Sequence, residues 1–396
     1  MRWRLVGLLG ALAVSCGNDD SSAAGAVADA GVDADAGGQQ DATPDADADA
    51  GEVCTSLNDT GVWLPDDGNG AFDPSVATDP ATGRVWMSYS SVDGLVGEGR
   101  VSTWLVHSDD GGATWCGAAR INAAEDVSAP DRPPGLEGFP SHWSHEVSAL
   151  VFDSSAPTSE RWKLFWHRYL HVNDADPNTG DRRFEYGWLA MRAAASAEAL
   201  SQAPEQVFLA AGGYFASSST QAYNAGIAGA PLHRLSDVSA EVADCIAVTE
   251  PAAVALDGSL RIWLGCASTG GLRIISLQLS GSNLSYLGTP LTPTDAKALN
   301  PALTGFNAAD AYIDAQGEPR LLISPVAGES YKGCLLYGVS GGSLTGPLAV
   351  VKEHTESSLL SGVCAYDPGL TASGTLFGEI HADTPQFRLF GLGSAP

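Results

Sequence analysis

The chain has 396 residues, of which 44% are hydrophobic, and its 47 acidic and 20 basic residues give a formal net charge of −27. This composition is enough for a large folded domain, and length alone leaves one domain or two open. The negative charge argues against nucleic acid and anionic membrane surfaces as partners, because both would repel the protein.

The first sixteen residues predict an export signal. Arg2 and Arg4 precede an apolar run over 5–14, which is too short to span a bilayer, and small residues follow it. The tetrapeptide AVSC over 13–16 resembles the bacterial lipobox, in which the cysteine becomes the lipidated first residue of the mature protein. The resemblance implies an exported lipoprotein at the outer membrane, in the periplasm or on the cell surface. Its membrane contact would be the lipid on Cys16 alone; the alternative is an ordinary cleavage site.

Residues 17–52 predict a disordered linker. The segment is rich in Ala, Asp and Gly, holds ten of the 47 acidic residues, and contains no basic or aromatic residue. Such a segment cannot bury enough apolar surface to offset its chain entropy, and its like charges keep it extended. Residues 53–396 are therefore expected to form the folded part.

The folded part contains six cysteines, an even number that predicts up to three disulfides in an exported protein. Six cysteines allow about 15 pairings, and proximity in sequence favours Cys245–Cys266 and Cys334–Cys364, which leaves Cys54–Cys116. No Cys-x-x-Cys spacing occurs, so a zinc site is not expected.

Five segments share one form, in which a Gly or Asp turn joins two strands of alternating apolar residues: 72–90, 145–169, 249–268, 310–326 and 364–380. Further strand-like runs follow each segment. Repeated four-stranded units predict an all-β chain folded as a single β-propeller. The predicted blades are 71–123, 141–210, 245–292, 303–352 and 361–395, and a sixth stays open if 211–244 hides a degenerate one. A strand near 54–64 is expected to complete the last blade.

The stretch SDDGGATW over 108–115 carries the pattern of an Asp-box, with Ser108, Asp110, Gly112, Thr114 and Trp115 at its defining positions. This pattern is similar to the motif that sialidases and other propellers place between the third and fourth strands of a blade. We expect Asp110 to accept hydrogen bonds from the turn, Gly112 to supply permissive dihedral angles, and Trp115 to pack between sheets. The role predicted for the stretch is structural.

In a propeller the first strand of every blade lines the central axis, so residues at the same place in each repeat converge on one funnel. Here these residues are Asp73, Glu146, Glu250, Asp310 and, in the fifth repeat, Tyr366. Converging carboxylates are what glycoside cleavage needs, because one must be ionised while another holds a proton for the leaving oxygen. The alternative is that they only cap turns at strand starts.

Two propeller glycosidase groups resemble this arrangement. FDPSV around Asp73 resembles the segment of the arabinanase and xylosidase superfamily that carries the catalytic base. That resemblance implies that Glu250 is the general acid and Glu146 the residue that tunes its pKa. The segments 249–263 and 364–380 resemble sialidase segments, which implies that Glu250 activates Tyr366 as a nucleophile. A sialidase also needs arginines, however, and Cys266 occupies one expected position.

Aromatic and imidazole groups near the second repeat are candidate sugar-binding residues. They lie in SHWSHEV over 141–147 and WHRYLH over 166–171, and they are His142, Trp143, His145, His167 and Arg168. The alternative for the tryptophans is a place in the core between blades. No metal site is predicted from these histidines, and the chemistry needs no cofactor, although a calcium ion could lie in the central channel.

Three functions follow from these patterns. The first is an envelope-tethered glycoside hydrolase that acts on a neutral glycan, because an acidic funnel would repel sialic acid. The second is a non-catalytic propeller that binds glycan or protein in the same funnel. The third is an exo-sialidase that uses a Tyr and Glu pair. In each case the expected partner is a carbohydrate (or, for the second, a protein) and the expected state is a monomer.

Overall fold

A computed structural model describes residues 54–56, 68–93, 100–173, 182–215, 217–328, 330–353, 358–381 and 387–396. The described chain is mostly β-sheet, as the alternating apolar patterns predict. The predictions for the signal segment 1–16, the lipid on Cys16 and the linker 17–52 lie outside the described residues.

The first half of the chain supplies two groups of strands. The first group comprises β1 (Cys54–Ser56), β2 (Gly68–Thr78), β3 (Val85–Asp93), β4 (Val101–Ser108) and β5 (Thr114–Asn122). The second comprises β6 (Glu125–Val127), β7 (Ser141–Phe152), β8 (Trp162–Val172), β9 (Gly187–Ala194), β10 (Gln206–Ala210) and β11 (His233–Arg234).

The second half supplies three further groups. The third group comprises β12 (Ala247–Leu256), β13 (Ser259–Ser268), β14 (Gly271–Ser280) and β15 (Asn283–Leu291). The fourth comprises β16 (Gly305–Ile313), β17 (Pro319–Ala327), β18 (Ser330–Tyr331), β19 (Cys334–Ser340) and β20 (Ser343–Lys352). The last comprises β21 (Ser358–Ala365), β22 (Leu376–His381) and β23 (Phe387–Gly391).

These strands form four sheets, none of which closes on itself. Their strand orders are β1-β5-β4-β3-β2-β23-β22-β21, β11-β10-β9-β8-β7-β6, β12-β13-β14-β15, and β16-β17-β19-β20 with β18 beside β17. The first and last groups share one sheet because β2 pairs with β23 where Gly70 faces Phe387. Gly70 has a φ of 105°, and a Cβ there would lie 1.8 Å from the Phe387 carbonyl oxygen, so only glycine allows this approach.

The five first strands of the groups contact one another in a cyclic order. β2 contacts β7, β7 contacts β12, β12 contacts β16, β16 contacts β21, and β21 contacts β2. Apolar side chains fill the space between every neighbouring pair of groups, for example Trp86 against Trp162 and Phe165 beside Val248. Each group therefore buries both faces against its neighbours.

Of the strand expected near 54–64, the described part, 54–56, pairs elsewhere than predicted, and 57–64 lie outside the described residues. β1 pairs antiparallel with β5, and the disulfide Cys54–Cys116 joins the two strands at facing positions. The last group therefore has three strands in the described chain, and β1 extends the first group instead. The pairing follows from the disulfide, which fixes Cys54 at the outer edge of the first group.

Residues 211–244, considered above as a hidden sixth blade, are mainly helical. They contain α1 (Ser218–Ala228), α2 (Leu235–Val238) and two 3-10 turns, and their two-residue strand β11 only extends the second sheet. Ser217 caps α1 by accepting a hydrogen bond of 3.1 Å from the Thr220 N–H. A third helix, α3 (Pro293–Leu299), connects β15 to β16, and other 3-10 turns are Ala129–Asp131, Thr158–Glu160 and Glu198–Ser201. None of the helices in the described ranges has the length and apolar character needed to cross a membrane.

The structure forms two of the three predicted disulfides, Cys54–Cys116 and Cys245–Cys266. Cys334 and Cys364 are buried free thiols in one apolar cluster, so the third predicted bond is not formed in this structure. Burial, a hydrogen bond with Cys334 and the charge on that neighbouring thiol raise the pKa of the Cys364 thiol well above its usual range.

The turn over 108–114 joins β4 to β5 and has the hydrogen bonds that its sequence predicts. The Asp110 carboxylate accepts bonds from the Ser108 hydroxyl (2.8 Å), the Thr114 N–H (2.8 Å) and the Thr114 hydroxyl (2.7 Å). Gly112 has a φ of 88° and donates its N–H to the Ser108 hydroxyl, while Trp115 is fully buried between sheets. Asp110 therefore acts in the turn and lies outside the carboxylate site described below.

Candidate active site

A β-bulge interrupts each of the five first strands at a corresponding place. The register shifts fall between Phe72 and Ser75, Glu146 and Ser148, Thr249 and Ala252, Asn307 and Ala309, and Gly362 and Cys364. Four residues at these shifts have a left-handed backbone: Asp73 (φ 50°), Val147 (46°), Glu250 (49°) and Val363 (55°).

The left-handed backbone at Asp73 and Glu250 is costly, because each non-glycine residue in this region costs about 1–3 kcal/mol. Pro74 and Pro251 follow these two residues. A proline has no N–H, so no ladder donor is lost where the extra residue leaves the strand register. The sequence thus places an acid followed by a proline at two of the bulges, and the two acids have nearly the same φ.

The structure brings Asp73, Glu146 and Glu250 together. The three side chains belong to neighbouring first strands and expose only 4, 7 and 1% of their surface. Burial, followed by the charges on Glu146 and Glu250, raises the pKa of Asp73 well above its usual range. Ionising Asp73 is therefore less favourable than it would be in water, because it adds a negative charge to a desolvated cluster of acids.

Glu146 lies beside a buried cation. Its Oε2 accepts a hydrogen bond of 2.7 Å from the Tyr169 phenol, and Nη2 of Arg183 lies 3.9 Å from the same oxygen. The Arg183 guanidinium is 3% exposed and stacks over the Tyr169 ring at 4.6 Å. The positive charge of Arg183 compensates the negative charge that Glu146 adds to the cluster.

Glu250 accepts a hydrogen bond of 2.7 Å at Oε1 from the phenol of Tyr331. Tyr331 comes from β18, a two-residue strand on the edge of the fourth group, and packs against Val326 and Val363. Burial, followed by the charges on Glu250 and Asp73, raises the pKa of Tyr331 well above its usual range. The phenol is therefore protonated and acts as the donor.

The sequence interpretation did not single out Tyr169, Arg183 or Tyr331. Tyr169 lies within the quoted stretch WHRYLH, two residues after His167, so its place on the same face of β8 was a usable signal. Arg183 lies in the connection before β9 and Tyr331 in the two-residue strand β18, and neither segment has an alternating pattern that would place it at the cluster.

Asp310 does not join the cluster, contrary to the predicted convergence of four carboxylates. Its Oδ1 accepts 2.9 Å from the Ser75 hydroxyl, its Oδ2 accepts 3.2 Å from the Tyr366 N–H, and the Ser75 hydroxyl in turn accepts 3.0 Å from the Leu150 N–H. Burial is the main cause that raises the pKa of Asp310 to about 8. Asp310 thus links β16 to β2, to β7 and to the segment after β21.

Tyr366 does not pair with Glu250. It follows the end of β21, and its ring packs edge-on against Tyr312 at 4.9 Å. Tyr312 and Asp367 line a cavity of about 180 Å³ formed by the last residues of β2, β7, β12 and β16. Tyr366 therefore lies near the opposite ends of the first strands, and the phenol that contacts Glu250 is Tyr331.

The histidines proposed as sugar ligands occupy three different environments. His167 faces Glu146 across the β7–β8 pair, is 1% exposed, and lies 4.9 Å from the Tyr169 ring. His145 points to the other face, where its Nδ1 accepts 3.0 Å from the Trp166 indole N–H. His142 stacks on His171 at 4.9 Å and lines a pocket of about 510 Å³ at the start of β7.

Trp143 and Arg168 lie in the core rather than at the cluster. Trp143 is 3% exposed and packs against Trp188 at 5.2 Å. Arg168 stacks over Trp143 and forms ion pairs of 2.8 Å with Glu205 and 3.2 Å with Glu125. These two side chains lie on the face of the second sheet opposite to Glu146, so their role in this structure is packing and ion pairing rather than the expected contact with sugar.

No group of three or more His, Cys, Asp and Glu residues within the described ranges could hold a metal ion. The calcium ion considered for the central channel stays a prediction.

No protein-family profile matches the sequence, and no curated protein matches it. Solved structures give distant similarities. The alignment with an α-L-arabinofuranosidase from Podospora anserina covers 83% of this chain and 92% of that protein, with 11% identity and a TM-score of 0.43. The alignment with a sialidase from Trypanosoma rangeli covers 87% of this chain and 59% of that protein, with 11% identity and a TM-score of 0.41. The chain spans 44% of the length of a xylan β-1,4-xylosidase from Bacillus halodurans, over 72% of its own length, with 11% identity and a TM-score of 0.40.

Proposed function

We propose that the protein is a glycoside hydrolase built on a five-bladed β-propeller, with the five first strands as its hub. The observation that carries the proposal is the carboxylate cluster, in which buried Asp73 shares its site with Glu146 and Glu250 and has a strongly raised pKa. A protonated carboxyl beside a charge-compensated carboxylate is the pair that acid–base cleavage of a glycosidic bond requires.

In this mechanism Asp73 is the general acid. Its proton passes to the glycosidic oxygen while the bond from that oxygen to the anomeric carbon breaks. A water molecule attacks the anomeric carbon and gives its proton to Glu146, whose charge Arg183 and the Tyr169 phenol support. The raised pKa of Asp73 thus favours for Asp73 the acid role that the arabinanase resemblance implies for Glu250, and the base role falls to Glu146.

The substrate class that fits this site is a neutral glycan. The ionised carboxylates of the cluster repel an anionic sugar, and Arg183, a cation beside the cluster, already faces Glu146. We further propose that the protein acts as a monomer and is tethered to the bacterial envelope through a lipid on Cys16, because the charged linker over 17–52 suits a spacer.

The hydrogen bond between Tyr331 and Glu250 favours a second candidate, a retaining mechanism of the exo-sialidase type. There Glu250 accepts the phenol proton while the Tyr331 oxygen attacks the anomeric carbon, and the bond from that carbon to the glycosidic oxygen breaks as Asp73 protonates this oxygen. Water then hydrolyses the bond between Tyr331 and the sugar, which returns a proton to the phenol oxygen and frees the sugar. The burial of the three acids favours a third candidate, a propeller that binds glycan or protein without hydrolysis. The stereochemistry of the product separates the first two, because direct attack by water inverts the anomeric carbon and a covalent intermediate retains it.

The test is hydrolysis of a broad panel of 4-nitrophenyl glycosides of neutral sugars and of sialic acid. We expect one or more neutral glycosides to be cleaved, with kcat lowered about 10²-fold in Asp73→Asn. Asp237→Asn, which changes an exposed aspartate in α2, is the matched control and should retain full activity. If the wild-type protein cleaves nothing in the panel, the proposed hydrolase is wrong.

A further inference from the structure

His167 is a buried polar side chain that the mechanism above does not use. Its ring is 1% exposed, and neither Nδ1 nor Nε2 has a hydrogen-bond partner within the part of the chain that the structure describes. Buried polar groups in proteins are nearly always hydrogen-bonded, so the two unsatisfied nitrogens of this ring need polar partners. Glu146 faces His167 across the β7–β8 pair, which places the ring beside the carboxylate cluster.

Gly187 packs closely against the ring, so only a residue without a side chain fits there. A Cβ added at Gly187 would lie 3.3 Å from Nε2 of His167 and 2.8 Å from the Arg183 carbonyl oxygen. Tyr169, which faces Gly187 across the β8–β9 pair, lies 4.9 Å from the imidazole, and the Arg183 guanidinium stacks over the Tyr169 ring. Glu146, Tyr169, Arg183 and Gly187 therefore border the ring.

The charge state of the imidazole limits what it can bind. Burial, followed by the positive charge of Arg183, lowers the pKa of His167 well below its usual range, so the ring is neutral. A neutral imidazole has one N–H donor and one acceptor nitrogen. A sugar hydroxyl can satisfy one of the two nitrogens, because it can accept a hydrogen bond from the N–H or donate one to the acceptor nitrogen. A carboxylate group can only accept, and the neighbouring guanidinium disfavours a metal cation.

We propose that His167 is a specificity-determining residue that binds one uncharged hydroxyl of the sugar at the carboxylate cluster. This inference rests on the proposed function and narrows its substrate to a sugar with a free hydroxyl at the position facing His167. A site built to hydrogen-bond a hydroxyl discriminates strongly against the analogue that lacks it, because the buried polar groups are then left unsatisfied.

The experiment combines His167→Phe, which keeps a ring of similar shape without nitrogens, with monodeoxy analogues of the best neutral 4-nitrophenyl glycoside in the panel. We expect His167→Phe to lower kcat/KM about 100-fold on the parent glycoside. On one deoxy analogue the variant and the wild type should have equal kcat/KM, since neither can form the bond. His167→Asn, which keeps a donor and an acceptor, should recover part of the loss. His233→Phe, a half-buried histidine on edge strand β11, is the matched control.

Calorimetric titration of the full chain with the free neutral monosaccharides supplies a readout besides hydrolysis. If His167→Phe lowers kcat/KM by the same factor on the parent glycoside and on every deoxy analogue, the inference is overturned and the hydrolase proposal still stands. Binding that His167→Phe weakens, without any hydrolysis, would support the inference and reject catalysis. Binding unchanged by His167→Phe overturns the inference, and so does a wild type that neither binds nor cleaves any sugar tested. The thermal midpoints of the variants, compared with that of His233→Phe, identify a variant that has failed to fold. If His167→Phe does not fold, the kcat/KM of His167→Asn on the parent glycoside and on the deoxy analogues tests the inference instead.

Discussion

Tyr331 in the fourth group of strands donates a hydrogen bond of 2.7 Å to Glu250 in the third. In the water mechanism this phenol only orients Glu250, so Tyr331→Phe should lower kcat about 10-fold and destabilise the fold by about 1–3 kcal/mol, the cost of a buried unsatisfied group. The measurements are kcat on the best panel glycoside and the free energy of unfolding in urea. Tyr286→Phe, at a half-buried tyrosine of β15, is the control. A loss of about 10⁴-fold or more would instead favour Tyr331 as the nucleophile.

Asp310 predicts a pH-dependent stability. Its pKa is raised to about 8 in the folded chain, against an ordinary value of 3.8. The folded state therefore holds a proton that the unfolded state loses between these values, so the contribution of Asp310 to the free energy of unfolding is fully present below pH 4. It falls as the pH rises towards 8, by at most about 1.4 kcal/mol per pH unit.

Asp310→Asn should remove this contribution to the pH dependence, because an amide cannot ionise. Urea unfolding of the wild type and the variant between pH 4 and 9 measures the difference between their slopes. Asp314→Asn in the adjacent turn, where hydrogen bonds lower the pKa of the carboxylate, is the control and should not flatten the slope. Parallel curves for the wild type and Asp310→Asn would contradict the placement of Asp310.

Asp110 predicts a loss of stability without a loss of activity. Its carboxylate accepts three hydrogen bonds in the turn between β4 and β5, so Asp110→Ala should destabilise the fold by about 1–2 kcal/mol. The neighbouring Asp109→Ala removes an exposed ion pair with Arg84 and should cost less than about 1 kcal/mol. Thermal unfolding and the panel assay test both. A drop in kcat for Asp110→Ala, with folding intact, would place this turn at the active site after all.

The two free thiols predict a specific alkylation pattern. Cys334 and Cys364 are buried, so they should resist iodoacetamide in the native protein and react once it is unfolded without reductant. Peptide mass spectrometry should then find Cys54, Cys116, Cys245 and Cys266 unmodified, because these four form the two disulfides. Protection of Cys334 and Cys364 after unfolding would instead indicate the third bond that sequence proximity predicts.

Much of the fold follows from the sequence because alternating apolar residues and Gly or Asp turns mark the strands directly. The repeat also correctly brings Asp73, Glu146 and Glu250 to neighbouring strands. Asp310 is misplaced because each bulge adds one residue and reverses the side-chain alternation after it. Asp73 and Glu250 lie at the bulge itself, whereas Asp310 lies beyond the shift between Asn307 and Ala309.

The partners of the cluster follow a different rule. Arg183 and Tyr331 reach the site from a connection and from a two-residue edge strand. Their positions depend on tertiary packing, which cannot be read from an alternating pattern of apolar residues in the sequence. The repeated pattern of the first strands therefore predicts where the acids lie, whereas Arg183 and Tyr331, which contact Glu146 and Glu250, are found only from the three-dimensional structure.

The leaving-group dependence of Asp73→Asn tests the role of Asp73 as general acid most directly. A poor leaving group needs the proton from Asp73, whereas 2,4-dinitrophenolate departs without it. For the sugar identified in the panel, we expect Asp73→Asn to lose about 10³-fold in kcat/KM on the alkyl glycoside and less than about 10-fold on the 2,4-dinitrophenyl glycoside. An equal loss on both glycosides would contradict proton donation by Asp73 and with it the proposed mechanism.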